Sequence, residues 1–352
     1  MQIRRGEPTR RAPCPRPDLM RILIVSDAWF PQINGVVRTL SVVADWLRAN
    51  GDTVEVIGPD RFYNLPMPGY AEIRLAVAPK AKLRRLVEAF APDAVHIATE
   101  GPLGWAMRAL CQRHGWPFTT AFHTRFPDYL QARTYIPADW SWQVMRRFHE
   151  AGDGTFAATP SLRAELAARG FTKIRPWTRG VDLSRFRPGD GEAWEGLPRP
   201  IFLYAGRVAV EKNIEAFLAL DLPGSKVVVG DGPALEGLKR RFPHVTYTGY
   251  RENGALVRAY AGADVFVFPS RTDTFGLVLL EALATGTPVA AYPVTGPKDV
   301  ITDPSVGALD EDLRAACLRA LDCDRVACRR HAETWSWDAC AAQFRATLVR
   351  RG

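Results

Sequence analysis

Residues 263–292, ADVFVFPSRTDTFGLVLLEALATGTPVAAY, leave this chain few ways to fold. The run Val265–Phe268 is short, β-branched and aromatic, which marks a buried strand. Pro269 and Ser270 end it, and Thr272, Asp273 and Thr274 are all helix N-cap types. Residues 275–285 are rich in helix formers, and Gly286 stands where a helix C-cap glycine belongs. Residues 288–292 resume as a second buried strand. Strand, turn, helix, strand is the repeating unit of a parallel α/β sheet.

The helix is nearly apolar all round, so most of its faces are buried. It carries one carboxylate, Glu281, whose charge is costly there unless it is paired or hydrogen-bonded. The helix start near Asp273 offers N–H groups and the positive end of a dipole, which suits an anionic or hydroxyl-rich ligand. A plainer alternative has Asp273 as a cap and Glu281 in a structural salt bridge. The residue chemistry admits both.

The same alternation runs through the rest of the chain. A strand at 21–25, a helix at 36–50 and a strand at 54–57 make a Rossmann-like βαβ unit. Its first turn holds only Gly35, not G-x-G-x-x-G, so a dinucleotide reading fails at its most specific point. Further helices are expected at 80–91, from the end of a loop at 99–104 to His114 and, capped by Ser161, up to Gly170; strands fall at 94–98, 118–122 and 155–159. Residues 126–150 are aromatic and basic, with Tyr129, Tyr135, Trp140, Trp142, Arg146 and Arg147. The charged, glycine-rich segment 180–200 reads as a linker. Alternation restarts at 201–207 and continues through strands at 226–229 and 245–248. The expected architecture is α/β, with two βαβ domains in tandem.

Several residues at expected strand ends could carry chemistry, because open α/β sheets bind ligands there. Arg207 and Lys212 in G-R-V-A-V-E-K-N suit a diphosphate, although a solvated basic turn has the same composition. Asn34-Gly35 enters a helix where backbone N–H groups can approach a phosphate; it also reads as an ordinary turn. His123 follows a strand end, where a lone histidine is commonly structural. Gly230-Asp231-Gly232 and Gly249-Tyr250 are turns that need no more than backbone freedom. Glu100, in T-E-G-P-L-G, is either a loop cap or an acceptor contact.

In this setting the chain resembles a known family. D-x7-E followed by A-L-A-T-G-T-P-V is similar to the signature of retaining glycosyltransferase family 4. That family has the GT-B architecture, two Rossmann-like domains facing each other across a cleft. Its first carboxylate is usually Glu where this chain has Asp273, and its usual glycine pair is here reduced to Gly35. The resemblance covers residues 20–337. Through S-R-T-D-T-F-G and H-T-R-F-P-x-Y it resembles bacterial lipid-directed transferases, GDP-mannose-dependent α-mannosyltransferases and sulfoquinovosyl diacylglycerol synthases.

The resemblance implies a role for each matching residue. Arg207 and Lys212 grip the donor diphosphate, and Glu281 holds the ribose hydroxyls. Asp273 and His123 orient the transferred sugar, assisted by backbone N–H groups of Phe275, Gly276 and Leu277. Gly35 lines the phosphate, while Gly230, Gly232 and Tyr250 border the nucleotide, with uracil and guanine not distinguished. Asn34, Glu100 and Arg125 face the acceptor. The implied reaction moves a hexosyl group from a UDP- or GDP-sugar to an acceptor hydroxyl, a membrane lipid or lipid-linked glycan, with retention. Neither cofactor nor metal is called for, since cations and the helix dipole supply the electrostatics. A GDP-mannose-dependent mannosyltransferase acting on a soluble glycan, and a GT-B sugar-nucleotide epimerase, are the alternatives.

The implied domains are a disordered basic tail at 1–19, an acceptor domain at 20–178, a linker at 179–200 and a nucleotide-sugar domain at 201–335. Residues 336–352 then form a helix crossing back, with Trp337, Cys340, Phe344 and Leu348 on one face. The net charge of +8 divides as +3 on residues 1–19, +5 on 20–178 and zero beyond. That asymmetry points to an anionic lipid or phosphate surface, or simply to an arginine-rich composition. Residues 80–90 would place Leu83, Leu86, Val87 and Phe90 on one helix face, with Lys80, Lys82, Arg84 and Arg85 beside it. No secretory signal, no apolar run of about 18 residues and no C-x-x-C pair among six cysteines are found. The expectation is a cytoplasmic enzyme, peripheral on the inner face of the membrane. Nucleic acid is not an expected partner, for no aromatics interleave with lysines on a sheet face.

Overall fold

A computed structural model describes residues 19–32, 34–67, 70–77, 80–127, 137–192 and 194–351. Cys14, Tyr129 and Tyr135, and the tail expected at 1–19 apart from Leu19, lie outside the described residues. The first half contains β1 (Arg21–Val25), β2 (Thr53–Ile57), β3 (Tyr63–Met67), β4 (Tyr70–Val77), β5 (Ala94–Ile97), β6 (Thr119–Ala121), β7 (Gly154–Ala157) and β8 (Ile174–Pro176). The second half contains β9 (Ile201–Ala205), β10 (Ser225–Val229), β11 (Thr246–Gly249), β12 (Val265–Phe268), β13 (Val289–Ala291) and β14 (Gly307–Leu309).

Two parallel six-stranded sheets result, ordered β2-β1-β5-β6-β7-β8 and β11-β10-β9-β12-β13-β14. All five residues of β9 are buried, as a strand covered on both faces by helices requires. Each order reverses once, between β1 and β5 in the first sheet and between β9 and β12 in the second. Ligands of such sheets bind at the carboxyl ends of the strands beside the reversal. The fold is the α/β, GT-B-like pair of Rossmann-like halves expected from the sequence.

Three local expectations change. Antiparallel β3 and β4 form a separate hairpin that the sequence pattern did not suggest. Pro66 and the exposed Tyr63 and Leu65 hide it, because proline is tolerated in a two-stranded edge but argues against a sheet strand. Helix Pro160–Ala168 is capped by Thr159, whose Oγ1 accepts from Leu162 N at 3.2 Å, and not by Ser161. Pro160 takes the first helical position, where a missing N–H costs nothing. Segment 180–200 is not a loose tether: Val181, Phe186 and Trp194 are buried in the core of the second sheet.

Helix Lys80–Phe90 buries Leu83 and Val87 against the first sheet, with Leu86 and Phe90 packed beside them. Its apolar face is therefore covered, while Lys80, Lys82, Arg84 and Arg85 remain exposed. The terminal helix Trp337–Thr347 returns to the first sheet, where Cys340, Ala341 and Phe344 share a core with Met20, Ile22 and Leu40. Arg345 clamps the buried Asp52 through two nitrogens at 2.6 and 2.9 Å.

Candidate active site

The loop leaving β9 carries Arg207 and Lys212, and its neighbours fix its course. Tyr204 at the strand end donates its hydroxyl to Arg207 O at 2.7 Å. Val208 N donates to Asp231 O at 2.8 Å, tying this loop to the one after β10. Asn213, in the left-handed region at φ 52°, donates its side-chain amide to Pro269 O at 3.0 Å. That bond links the Lys212 turn to the end of β12. Gly230 sits at φ 141°, and a Cβ there would lie 1.8 Å from Gly206 O. Gly232 is held nearly as closely to Val208 O, at 2.3 Å. The G-D-G turn is thus a scaffold for the Arg207–Lys212 loop. Tyr250 lies exposed beyond it, its hydroxyl 3.4 Å from Glu252.

Across the reversal, Lys212 Nζ meets Asp273 Oδ1 at 2.6 Å. This overturns the expectation that Asp273 or its threonine neighbours cap the next helix. That helix is Leu277–Ala284, it starts after Gly276 at φ 85°, and no side chain caps it. Thr274 donates its hydroxyl to His123 O instead, at 2.7 Å. The uncapped helix start keeps its dipole directed at the loop. Buried Phe275 anchors the turn edge-on to Trp335, with ring centroids 5.4 Å apart.

Four buried polar atoms in this neighbourhood have no hydrogen-bond partner among the described residues: Asp273 Oδ2, Thr272 Oγ1, Ser270 Oγ and His123 Nε2. Buried polar groups in folded proteins are almost always satisfied, so a cluster of orphans marks a place built for a polar ligand. Burial, reinforced by nearby Arg179, holds the His123 pKa well below the usual histidine range. The ring is neutral at physiological pH.

Glu281 is buried, and its partners come from both halves. Arg38, on helix Gly35–Ala49 of the first half, reaches it at 2.6 Å, and Tyr260 OH donates to it at 3.2 Å. Burial pushes its carboxyl pKa up, while Arg38 and the Tyr260 hydroxyl pull it back. Of the two readings open from sequence, the salt bridge is present: Glu281, inside the uncapped helix, is paired with an arginine from the first half. Neither Arg38 nor Tyr260 was singled out from sequence. No local motif marks them, because the contact spans 243 residues in one case and 21 in the other.

The residues expected to face an acceptor are mostly engaged. Asn34 caps helix Gly35–Ala49, its Oδ1 accepting from Val36 N and Val37 N at 3.0 Å. Arg125 grips Glu165 through two nitrogens at 2.7 and 2.9 Å. Glu100 is buried on His149 Nε2 at 3.0 Å, while His149 Nδ1 meets Thr120 Oγ1 at 2.8 Å. Asp27, beside it, caps helix Pro102–His114 by accepting from Leu103 N and Gly104 N. Gly35 does face the cleft: a Cβ there would sit 3.5 Å from Leu277 Cδ1 on the opposite half.

Two Rossmann-like halves, with two cations at the reversal of the second sheet and a neutral histidine after β6 of the first, fit a two-domain glycosyltransferase. Comparison with known proteins agrees. Residues 33–185 match the model of Glycosyltransferase Family 4, and residues 199–322 match that of Glycosyl transferases group 1. A GDP-mannose-dependent alpha-mannosyltransferase of Mycobacterium tuberculosis is 33% identical over 320 residues, covering 82% of this chain and 83% of that one. The alpha-monoglucosyldiacylglycerol synthase of Streptococcus pneumoniae is 27% identical, covering 86% and 78%. Among solved structures, sucrose-phosphate synthase from Thermosynechococcus elongatus superposes with a TM-score of 0.76 at 22% identity, covering 92% and 97%. The chain belongs to glycosyltransferase family 4, and it is an enzyme that transfers hexosyl groups.

Proposed function

We propose that this enzyme moves a hexosyl group from a nucleoside diphosphate sugar to a membrane-lipid hydroxyl, with retention of configuration. The observation that carries the donor half is the orphan cluster. A sugar presents several hydroxyls, each able to donate and accept, and the site offers a carboxylate oxygen, two hydroxyls and an imidazole nitrogen. Lys212 and Arg207 stand beside it for the diphosphate, and the Leu277–Ala284 helix start adds its dipole.

In this mechanism the bond from anomeric carbon to β-phosphate oxygen breaks as the acceptor oxygen approaches from the same face. Lys212 and Arg207 stabilise the charge that grows on the leaving phosphate. The acceptor proton passes to that phosphate oxygen, so no protein base is required. Asp273 keeps one oxygen on Lys212 and turns the other to a sugar hydroxyl. Glu281 receives the ribose hydroxyls while Arg38 retains its charge partner. The cations and helix dipole supply what a metal would otherwise supply.

Two relatives support different finer readings. The mycobacterial relative names GDP-mannose as its donor, and the streptococcal relative names a glucosyldiacylglycerol as its product. We favour a lipid acceptor because of the +5 on residues 20–178 and the exposed cations of helix Lys80–Phe90. With that helix's apolar face covered, attachment to the inner face of a membrane would be electrostatic, helped by exposed Trp140. Among the described residues no helix is long and apolar enough to cross a membrane.

The test pairs a thermal-shift screen of GDP and UDP with labelled-sugar transfer into lipid extracts, analysed by NMR for the anomeric configuration. One nucleotide should raise the Tm, and label should enter the lipid phase as the α-anomer even in EDTA. Label that enters only water-soluble glycans would exclude the lipid acceptor. An inverted product would exclude the front-face route.

A further inference from the structure

The chain crosses from the first sheet to the second through residues 177–181, and a second crossing at 335–340 lies against it. Val181 N donates to Trp335 O at 3.2 Å, and Trp177 Nε1 donates to Cys340 O at 3.2 Å. At Gly180 a Cβ would stand 2.4 Å from Trp337 N, so only glycine lets the crossings touch. Arg179 is enclosed in this double crossing with 5% of its surface exposed.

A buried guanidinium ordinarily needs a carboxylate. Among the described residues Arg179 forms no such ion pair. Its charge is met by the Trp177 ring, 4.2 Å away, and by the carbonyls of Trp177 and Thr178, each 2.9 Å from Nη1. Its other terminal nitrogen, Nη2, lies 3.3 Å from His123 Nδ1. Burial lowers the Arg179 pKa to about 10, which leaves it charged at neutral pH.

Arginine can only donate. His123 Nδ1 must therefore accept, and a neutral imidazole that accepts at Nδ1 carries its proton on Nε2. That Nε2 is the buried, unpartnered atom beside the Asp273 loop. We infer that Arg179 is a positioning residue that locks His123 as a neutral Nε2–H donor aimed at an oxygen of the bound sugar. The inference rests on the reading of His123 as a sugar contact. It goes further by fixing which proton is offered, and by placing its control in the inter-domain crossing.

The titratable groups around His123 are Arg179, His96 and His149 within its own half. His149 is paired with Glu100, and on the facing loop Asp273 is paired with Lys212. None of these supplies a carboxylate to the imidazole.

Long-range 1H–15N spectra of labelled histidine side chains test the lock without any turnover, with His123 assigned through His123→Gln. The six histidines of the chain keep the spectrum simple. In the wild type His123 should show the Nε2–H tautomer and no titration across neutral pH. Arg179→Met should give mixed tautomers, while burial still keeps the ring neutral across neutral pH. Arg179→Lys, which retains a donor, should restore part of the wild-type signature. In kinetics Arg179→Met should lower kcat roughly 10–100-fold, the usual loss for an orienting partner, with nucleoside diphosphate affinity unchanged. Added to His123→Gln, it should cost nothing more.

An Nδ1–H tautomer in the wild type overturns the inference, and this reading stands even if Arg179→Met fails to fold. Identical His123 spectra in wild type and Arg179→Met overturn it equally. A locked tautomer together with full activity in His123→Gln supports the lock and overturns the sugar contact instead.

Discussion

Lys212 illustrates how one side chain serves two anions in turn. It holds Asp273 at 2.6 Å, and a donor diphosphate would add a second claim on the same charge. Because charge on the leaving phosphate peaks in the transition state, Lys212→Ala should lower kcat by roughly 10²–10³. KM should move little, and a change in KM alone would assign Lys212 to uniform binding. His96 gives a prediction of another kind. It is fully buried against Phe156, Trp177 and Phe344, and burial lowers its pKa from 6.5 to about 3. The unfolded chain therefore binds this proton more readily than the native one. Stability is present above about pH 6.5 and falls by roughly 1.4 kcal/mol per unit below it, towards pH 3. Urea midpoints measured from pH 7 to about 4.5 should slope less in His96→Phe. Equal slopes would show that other groups govern acid unfolding.

Arg207, Lys212, Asp273 and His123 were legible because each lies in a short motif at a strand end. Their partners were not. Arg38 and Arg179 acquire meaning only when distant segments meet, at separations of 243 and 56 residues. Asn34 and Arg125 likewise have structural partners that one dimension does not show, a helix cap and a bidentate carboxylate.

Among elements, ten of the twelve sheet strands were readable because a buried parallel strand is a short, continuous apolar run, while the three-residue edge strands β8 and β14 were not. The β3–β4 hairpin broke that rule, being partly exposed and interrupted by proline. Glycine turns divide in the same way. Gly230→Ala should destabilise the protein by at least about 3 kcal/mol, since it combines a strained φ with contact on Gly206 O. Gly237, inside helix Leu235–Arg241, has nothing within 4 Å of where an added methyl would sit. Gly237→Ala should therefore be neutral or stabilise by up to about 1 kcal/mol. Denaturant titrations of both variants check the pair, and equal effects would refute the scaffold role of the G-D-G turn.

At the scale of the whole molecule, beside the Arg38 guanidinium over the Phe186 ring at 5.3 Å, three hydrogen bonds among the described residues bridge the halves near the cleft. They are Arg38–Glu281, Thr274 to the His123 carbonyl, and Ser161 N to Asp299 at 2.9 Å. The first involves a buried carboxylate, so Arg38→Met leaves Glu281 with Tyr260 alone. Small-angle scattering should then show a larger radius of gyration, with about 2 kcal/mol lost from stability because Arg38 is itself partly solvated. An unchanged radius would show that the other contacts suffice to hold the halves together.

The return of helix Trp337–Thr347 to the first sheet also has a consequence for the order in which the molecule is made. Ribosomes deliver about 5–20 residues each second, from the N-terminus onward. Cys340, Ala341 and Phe344, which complete the core around Met20 and Ile22, therefore arrive after every strand of the second sheet. The half that emerges first is the half that closes last, while the second sheet can assemble in the interval. A nascent chain halted before Trp337 should bind a hydrophobic dye through the uncovered face of helix Gly35–Ala49, and one halted after Thr347 and released should not. Until helix Trp337–Thr347 emerges, the apolar face that it covers stays open to solvent.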